Sequence, residues 1–492
     1  MRFDNKLLYL FGFSLILRIL INIQDPFLHS WDERFHALVA KNMMTHPFTP
    51  MLRTDPVLPY DETSWTEGHF WVHKQPLFLW QMALSMKLFG VNLFALRLPS
   101  ALMGALSVLL ISRIGILFNN KFAGLVAALL FTFSSYQLEL TNGVVGMDHN
   151  DVAFGFYILA SFWCYFEYRE SNKKYWVLLI GLFAGCAILN KWLVGLLIFA
   201  IWGIEILLQY KMHMRLKHFI PMLQALVICC IVFIPWQIYI LNRFPKQAAF
   251  TYQFNERHIT EALEGHTGSV FYFLQIFPWQ YSFLIIPFLI IALIGWLKNK
   301  FSTKMFLPLA FAIFIIYFFF SVIVKTKSSN YVFIVAPFIF LISGFGFDLF
   351  RHWVINLFDK KKAVIITYLS LIILIISLFR PYTLYKYHFK KGGYYFNDED
   401  RTAKKYNTSV YKQLDSILPE KYVILNCKSF EDIEAMFWSK HNVYQWFPNE
   451  RDYLQLKENG YKIAAFPNML GQDLPDYIVN DFDVVMIDKR LK

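Results

Sequence analysis

Charged residues are scarce in this chain. Only 17% of its 492 residues are Asp, Glu, Lys or Arg, whereas 57% are hydrophobic and 19% are aromatic. A soluble enzyme of this size needs a more polar surface than this composition supplies. The sequence therefore predicts a polytopic membrane protein.

Cysteine is scarce as well. Cys164, Cys186, Cys229 and Cys230 lie in apolar segments, and Cys427 lies in the C-terminal region. Their spacing contains neither a disulfide framework nor a metal-ligand motif. Neither a disulfide scaffold nor a cysteine-based metal centre is expected.

The formal net charge of +12 does not come from one basic stripe. Lys and Arg instead form short clusters between apolar runs, a pattern typical of loops that orient a chain in a membrane. Nucleic acid is therefore excluded as a predicted partner. The lipid bilayer is the expected environment.

Apolar runs of about 20 residues predict about eleven membrane spans. The positive-inside rule then places the basic loops in the cytoplasm and the loops 25–94 and 242–272, with the C-terminal tail, outside. A shorter apolar run at 77–90 is predicted to stay in the plane of the membrane, because a crossing there would disrupt the alternation of basic loops. The first run lacks a small-residue cleavage site and is interpreted as an uncleaved span. The predicted spans are 7–24, 95–118, 121–141, 150–168, 175–190, 192–210, 217–241, 273–297, 306–324, 331–350 and 363–379.

The tail differs in character from the rest of the chain. Short β-branched runs there alternate with helical or turn-rich stretches, which predicts a small α/β domain. We therefore predict a transmembrane domain at residues 1–385 and an extracytoplasmic α/β domain at residues 397–492. The β-branched runs are 422–425, 462–466 and 484–487.

Polar residues at the ends of the predicted spans collect on the outer side. Asp32 and Glu33 follow the first span, and Lys74 lies near the end of the first long loop. Acidic groups at a membrane interface are costly unless they pair or act on something, and a lysine beside them suits a lipid phosphate. Helix capping and a snorkelling lysine are the alternative interpretation. The other candidates on this side are His73, Asp151, Lys191, Arg257, His258, Lys327 and Tyr331.

Several of these residues lie in short motifs that follow one another along residues 32–337. The motifs include Asp32-Glu33, Lys74-Gln75-Pro76, Asp151-Val-Ala-Phe-Gly-Phe, Leu189-Asn-Lys191, Glu256-Arg-His258 and Tyr331 to Pro337. In this order they resemble the GT-C glycosyltransferases, in particular the protein O-mannosyltransferase and lipid A aminoarabinose transferase group. The resemblance implies an all-α transmembrane domain of the GT-C type. It also implies inverting transfer of a sugar from a polyprenyl-phosphate donor to an extracytoplasmic acceptor, which is lipid A, a glycan or a protein hydroxyl, with no required cofactor.

The resemblance also implies roles for individual residues. Asp32 corresponds to the catalytic base, Glu33 is the second candidate, and Asp151 corresponds to a second acidic position that orients a sugar hydroxyl or the first loop. A single inverting displacement needs one carboxylate for the acceptor proton, whereas the leaving phosphate needs cations. Lys74 is therefore expected to bind the donor phosphate. Further substrate-binding candidates are Lys191, Arg257, His258, Lys327 and Tyr331.

A metal site is a separate hypothesis. In some relatives, residues at the positions of His73 and His258 lie close enough to share a metal, and a neutral imidazole pair suits zinc. Ordinary hydrogen-bonding histidines are the competing interpretation. Because two histidines are too few for a closed site, we expect catalysis to proceed without added metal.

Two other classes of protein share this composition. An ion-coupled transporter places its charges near mid-membrane and commonly repeats its halves, whereas the candidates here lie at span ends. A non-enzymatic lipid-binding protein does not need a base close to a phosphate-binding lysine. We expect a bacterial inner-membrane protein with its active site and C-terminus in the periplasm.

Overall fold

The computed structural model describes residues 5–143, 148–210, 213, 215–380, 398–467 and 474–492, with the backbone alone for 398–400. The described chain is mostly helical, as its composition predicts. The helices before residue 380 are α1 (Asn5–Asn22), α2 (Asp32–Met43), α3 (Leu77–Phe89), α4 (Leu93–Leu117), α5 (Lys121–Phe133), α6 (Ser135–Thr141), α7 (Asp148–Ser171), α8 (Lys174–Lys191), α9 (Leu197–Tyr210), α10 (Ile220–Arg243), α11 (Pro245–Thr260), α12 (Tyr272–Tyr281), α13 (Ile286–Leu297), α14 (Thr303–Phe318), α15 (Ala336–Leu357) and α16 (Lys360–Phe379).

Seven helical segments within the described ranges are long and apolar enough to cross a membrane. The count becomes nine if two bent pairs each form one span, α5 with α6 at 56° and α12 with the segment up to Leu297 at 90°. The chain is therefore an integral membrane protein. The predicted count of about eleven spans is not confirmed. The seven segments are Asn5–Asn22, Leu93–Leu117, Lys174–Tyr210, Ile220–Arg243, Thr303–Ile323, Phe333–Leu357 and Lys360–Phe379.

Two local features account for the difference in the count. Helix α7 carries Asp148 and Asp151 in its first turn and Arg169 in its last turn, so it is less apolar than the other long helices. Helices α8 and α9 are joined by a 3-10 turn that starts at Trp192, whose φ is 63°. The two helices therefore form one apolar run of 37 residues.

The described residues group into two compact units. The helical unit draws on Met1–Ile21, Ser100–Arg243 and Thr251–Leu384, and the mixed unit draws on Asn22–Pro99, Phe244–Phe250 and Tyr385–Lys492. The predicted boundary between residues 385 and 397 lies outside the described residues.

Close helix packing holds the helical unit together. Helix α15 packs against α5 and α13. A Cβ atom on Gly344 would lie 2.4 Å from the carbonyl oxygen of Ala123, and one on Gly346 would lie 1.8 Å from that of Phe288. Only glycine permits these approaches, as is typical of helix interfaces in membranes.

In the mixed unit, α2 packs against α3. Helix α3 has 13 residues, which corresponds to about 20 Å. That length is below the roughly 30 Å of a bilayer core. The length of α3 therefore agrees with the prediction that this apolar run does not cross the membrane.

The C-terminal part of the mixed unit contains a parallel sheet of four strands in the order β2-β1-β3-β4. The predicted small C-terminal α/β fold is therefore present, although β2 is not among the predicted strands. Val423 and Ile463 are partners in the β1–β3 register, and Leu58 from the first long loop packs into the same core. The strands are β1 (Tyr422–Leu425), β2 (Asn442–Val443), β3 (Lys462–Ala465) and β4 (Val485–Met486), and the helices here are α17 (Asp398–Tyr411), α18 (Leu414–Ile417), α19 (Asp432–Trp438), α20 (Glu450–Glu458) and α21 (Asp476–Val479).

Ion pairs connect this tail to α2. Arg34 is buried and contacts Glu431 at 3.5 Å and Glu434 at 3.3 Å. The ammonium group of Lys41 donates to three backbone carbonyls at the end of α19, those of residues 436, 437 and 439. These bonds satisfy carbonyl groups that a helix end leaves without partners. The first long loop and the tail therefore fold as one body.

Candidate active site

Asp32 is the first residue of α2. The preceding residue, Trp31, has φ of 67° and ψ of −116°, so the chain turns sharply into the helix. Left-handed φ values are unusual for bulky residues and cluster at functional sites. The N-terminus of a helix carries partial positive charge, which favours carboxylates in its first turn. The turn at Trp31 thus presents the Asp32 carboxylate at a position that stabilises its charge.

Lys74 forms an ion pair with Asp32. Its Nζ lies 3.4 Å from Asp32 Oδ1, and the two side chains are 24% and 29% exposed. Nε2 of the buried His36 lies 3.8 Å from the same oxygen. The carboxylate therefore has two nitrogen groups nearby and remains partly exposed.

Glu33 has a different environment. Its oxygens accept from Arg97 Nε at 2.6 Å and Arg97 Nη2 at 2.9 Å, and from the backbone N–H of His29 at 2.6 Å. Arg97 also donates to the carbonyl oxygens of Asn22, Asp25 and Phe27. A paired and hydrogen-bonded buried carboxylate of this kind fixes the backbone around it.

His73 lies beside Lys74 against aromatic rings. Its ring centroid is 5.6 Å from that of Trp71 and 5.9 Å from that of Phe250. Burial, together with the neighbouring Lys74 ammonium, lowers the pKa of His73 to about 3. The imidazole is therefore neutral at physiological pH. Within the described ranges, no group of three or more His, Cys, Asp or Glu residues is placed to hold a metal ion. The metal hypothesis stays a prediction.

A second acidic centre lies in the helical unit. Asp151 is fully buried in the first turn of α7, and Lys191 Nζ contacts its Oδ1 at 2.6 Å. Asn330 Nδ2 donates to the other oxygen at 3.5 Å. The Lys191 ammonium also lies 5.9 Å from the ring centroid of Tyr331. This centre brings together three of the predicted site residues.

The other candidates in the helical unit make local contacts. Lys327 donates all of its ammonium hydrogens to backbone carbonyls, those of Phe320, Ser321 and Val324. It therefore caps the helical turn before it. Burial lowers the pKa of Lys327.

Arg257 and His258 are also engaged. Arg257 Nη2 contacts Glu261 Oε2 at 2.8 Å on an exposed surface, one helical turn away. The Nδ1 atom of His258 lies 3.0 Å from Thr326 Oγ1. Glu261 thus pairs with the arginine that precedes the histidine.

The predicted residues form two groups, one in each unit. Asp32, Glu33, His73 and Lys74 belong to the mixed unit, and the other six belong to the helical unit. Sequence reasoning missed His36, Arg97 and Asn330 as partners of the acidic residues. The i, i+4 spacing of Asp32 and His36 on one helix was the signal for the first, whereas nothing local in the sequence marks the other two. The six residues of the helical unit are Asp151, Lys191, Arg257, His258, Lys327 and Tyr331.

Known proteins match this chain in sequence and in fold. The family model described as dolichyl-phosphate-mannose-protein mannosyltransferase matches residues 73–239. The crystal structure of ArnT from Cupriavidus metallidurans bound to undecaprenyl phosphate aligns with a TM-score of 0.67 at 14% identity, covering 92% of this chain and 88% of that one. The resemblance to the GT-C glycosyltransferases is confirmed. An archaeal oligosaccharyltransferase, AglB from Archaeoglobus fulgidus in complex with an inhibitory peptide and a dolichol-phosphate, aligns with a TM-score of 0.58 at 11% identity, covering 89% of this chain and 64% of that one.

Curated relatives carry one activity in their names. The undecaprenyl phosphate-alpha-4-amino-4-deoxy-L-arabinose arabinosyl transferase 2 of Pseudomonas fluorescens is 28% identical over 201 residues, 38% of this chain and 35% of that protein. The corresponding transferase of Photorhabdus laumondii is 22% identical over 400 residues, 76% of this chain and 67% of that protein. The chain spans less than half the length of the Pseudomonas relatives that it matches.

Proposed function

We propose that this chain is an inverting glycosyltransferase. It would transfer a sugar from a polyprenyl-phosphate donor to a hydroxyl group on the outer face of the membrane. The observation that carries the proposal is the partly exposed pair of Asp32 and Lys74, 3.4 Å apart. Relatives named for transfer from undecaprenyl phosphate support the class of donor.

The chemistry needs one base and one phosphate-binding cation. In a single displacement, the acceptor oxygen forms a bond to the anomeric carbon, and the bond from that carbon to the phosphate oxygen breaks. The electron pair leaves with the polyprenyl phosphate, and the acceptor proton passes to Asp32. Lys74 stabilises the phosphate charge. When Lys74 contacts phosphate, Asp32 loses its cation and becomes a better proton acceptor.

Neighbouring residues are assigned positioning roles. Glu33 binds Arg97 through both oxygens, so we propose that it holds the loop before α2 and does not accept the proton. His36 keeps the Asp32 carboxylate oriented. We assign Lys327, whose donors are all engaged, to the support of its own loop.

The acidic centre of the helical unit is proposed to bind a polar group of the substrate. Asp151 accepts from Lys191 at 2.6 Å, and Lys191 is 19% exposed. A buried carboxylate with a partly exposed lysine can orient a sugar hydroxyl through that lysine. Tyr331 supplies a ring and a hydroxyl beside it. Arg257 and His258 remain weaker candidates because Arg257 pairs with Glu261 and His258 contacts Thr326.

We also propose about eleven spans. Length and composition support up to nine membrane spans. A tenth is added if α7 crosses the membrane, and an eleventh if the run of α8 and α9 breaks at Trp192 into two spans. A single helix of 37 residues would measure about 55 Å, well above the roughly 30 Å of a bilayer core. The active site and the tail then lie outside, in the periplasm of a bacterium.

A donor-turnover assay on membranes tests the proposal. Membranes that contain the full chain and its native acceptors are incubated with a polyprenyl-phosphate sugar, and the released polyprenyl phosphate is measured. We expect release with the wild type and loss of release with Asp32→Asn, whose binding of polyprenyl phosphate is retained. Equal release from both proteins, or none from the wild type with any donor, would leave a lipid-binding protein or a transporter as the better account. Mass spectrometry of surface glycans in a deletion strain then identifies the sugar and the acceptor.

A further inference from the structure

A buried arginine in the first membrane helix has donors without partners. Arg18 is 0% exposed, and its Nη1 donates to Ser14. Its Nε and Nη2 atoms have no hydrogen-bond partner among the described residues. A buried cation with unsatisfied donors is costly unless something compensates its charge.

Arg18 lines a small cavity in the helical unit. Asp151, Gln137 and Ser107 contribute to the same wall. The cavity volume is about 20 Å³, above the roughly 10–15 Å³ that one water molecule needs and far below the roughly 300–1,000 Å³ of a site for a whole small molecule. The cavity is therefore of the size of a single functional group.

The polar groups of the wall favour an acceptor over a donor. Gln137 Nε2 is a third buried donor without a described partner. Thr141 and Ser107 donate their hydroxyl hydrogens to backbone carbonyls. The Asp151 carboxylate also lines the cavity, but Lys191 compensates its charge and Asn330 donates to it. Among the described residues of the wall, the donors that are left without partners are those of Arg18 and Gln137.

The two unpartnered nitrogens of Arg18 also have a specific geometry. Nε–H and Nη2–H lie on one edge of the guanidinium and point in parallel, which matches the two oxygens of a carboxylate. Glycine at position 104 makes room for this edge, because a Cβ atom there would lie 2.4 Å from Arg18 Nε. The ring of Phe131 covers one side of the cation at 5.5 Å.

We propose that Arg18 and Gln137 bind a small carboxylate within the membrane domain. The carboxylate is either a free anion or the acid group of a substrate, such as the sugar of a uronic-acid donor. The site itself does not depend on the proposed transferase activity; only the second of these sources does.

Thermal unfolding of the purified full-length protein in detergent tests the site without any turnover. Sodium formate replaces sodium isethionate at constant ionic strength, because isethionate carries a bulky sulfonate and no carboxylate. We expect a saturable rise in Tm of about 2–4 °C with formate. The rise with chloride should be smaller, because chloride is a single acceptor centre and lacks the two oxygens that match the parallel N–H groups. No rise with formate, or an equal rise with chloride at the same concentration, would overturn the proposal.

Substitutions test whether the formate-dependent rise in Tm arises at Arg18. Arg18→Met should abolish the formate dependence, and Arg18→Lys should weaken it at least ~10-fold because lysine lacks the paired donors. Gly104→Ala should act like Arg18→Met, since it displaces the guanidinium. Arg113→Met is the matched control: Arg113 already pairs with Glu167 at 2.6 Å, so this variant should keep the dependence. A formate effect that survives Arg18→Met would also overturn the proposal.

Binding of two short-chain donors distinguishes the sources. If the acid group belongs to the substrate, a polyprenyl-phosphate uronate binds the wild type at least ~10-fold more tightly than the matched hexose, and formate competes with it. If both donors bind equally while the formate shift persists, the site holds a free anion. Loss of transferase activity alone changes neither result, so a failure of the proposed function is separable from a failure of this site.

Discussion

Asp32 and Glu33 are consecutive residues, yet only Asp32 is accessible. The Asp32 side chain is 29% exposed and lies 3.4 Å from Lys74, whereas Glu33 is 2% exposed and is held by Arg97 at 2.6 Å. The sharp turn at Trp31 and the first turn of α2 direct the two carboxylates to different partners. The proposed roles, a base at Asp32 and a structural anchor at Glu33, rest on this difference in exposure and partners.

Glu33→Gln should chiefly destabilise the fold. It leaves the buried Arg97 without a counter-charge, which costs about 3–5 kcal/mol when one partner of a buried pair is removed. Thermal unfolding in detergent measures the loss. Glu62→Gln is the control, because the pair of Glu62 with Lys246 is exposed and contributes less than about 1 kcal/mol. An unchanged Tm together with complete loss of transfer would instead make Glu33 a chemical participant.

The pair of Asp151 and Lys191 should show strong coupling. Each single variant, Asp151→Asn or Lys191→Met, leaves a charge without its partner at 2.6 Å. The double variant removes both charges and should recover at least half of the Tm lost in Asp151→Asn. The exposed pair of Arg257 and Glu261 should show almost no coupling in the same double-mutant cycle. Additive losses at Asp151 and Lys191 would mean that the pair does not act as a unit.

Membrane topology gives a third prediction. Single cysteines at Glu62 and Lys298, in a background without the native cysteines, should react with an impermeant thiol reagent from opposite sides of intact membranes. The basis is the positive-inside distribution of Lys and Arg. Reaction of both positions from the outside would overturn the proposed orientation of the active site.

Chelation should have little effect. In the described part of the chain, no group of three or more potential ligands is placed to hold a metal, and His73 is a neutral imidazole packed between aromatic rings. We therefore expect the transfer rate and Tm to be unchanged by EDTA. Full loss of activity on chelation, restored only by zinc, would show that His73 and His258 hold a metal as their positions in the resembled family suggest.

Much of the architecture could be predicted from local sequence patterns. The β-branched runs at 422–425, 462–466 and 484–487 predicted β1, β3 and β4, because a short apolar run between turn-rich stretches is a signal that depends only on neighbouring residues. The basic clusters and the long apolar runs predicted a membrane protein. The count of spans remains unconfirmed, because α7 carries charges at both ends and the junction of α8 and α9 depends on the backbone at Trp192.

Long-range pairs could not be predicted in the same way. Arg34 contacts Glu434 across almost the whole length of the chain, and Arg97 reaches Glu33 from another helix. No pattern of neighbouring residues encodes such contacts without an alignment. The acidic pair itself was found because it starts a helix beside a membrane span, whereas the distinction between its two members depends on tertiary partners.

Steady-state kinetics of Asp32→Asn and Lys74→Ala with a polyprenyl-phosphate sugar tests the central claim most directly. A base acts only as the proton moves, so Asp32→Asn should lower kcat by about 10²–10⁴-fold with little change in donor KM. A phosphate-binding cation acts in ground and transition states alike, so Lys74→Ala should raise donor KM by about 10-fold or more. Asp61→Asn is the control: Asp61 is an exposed carboxylate in the same loop, and its substitution should alter neither kcat nor donor KM. Equal effects of the two substitutions on kcat and KM, or full activity of Asp32→Asn, would contradict the account.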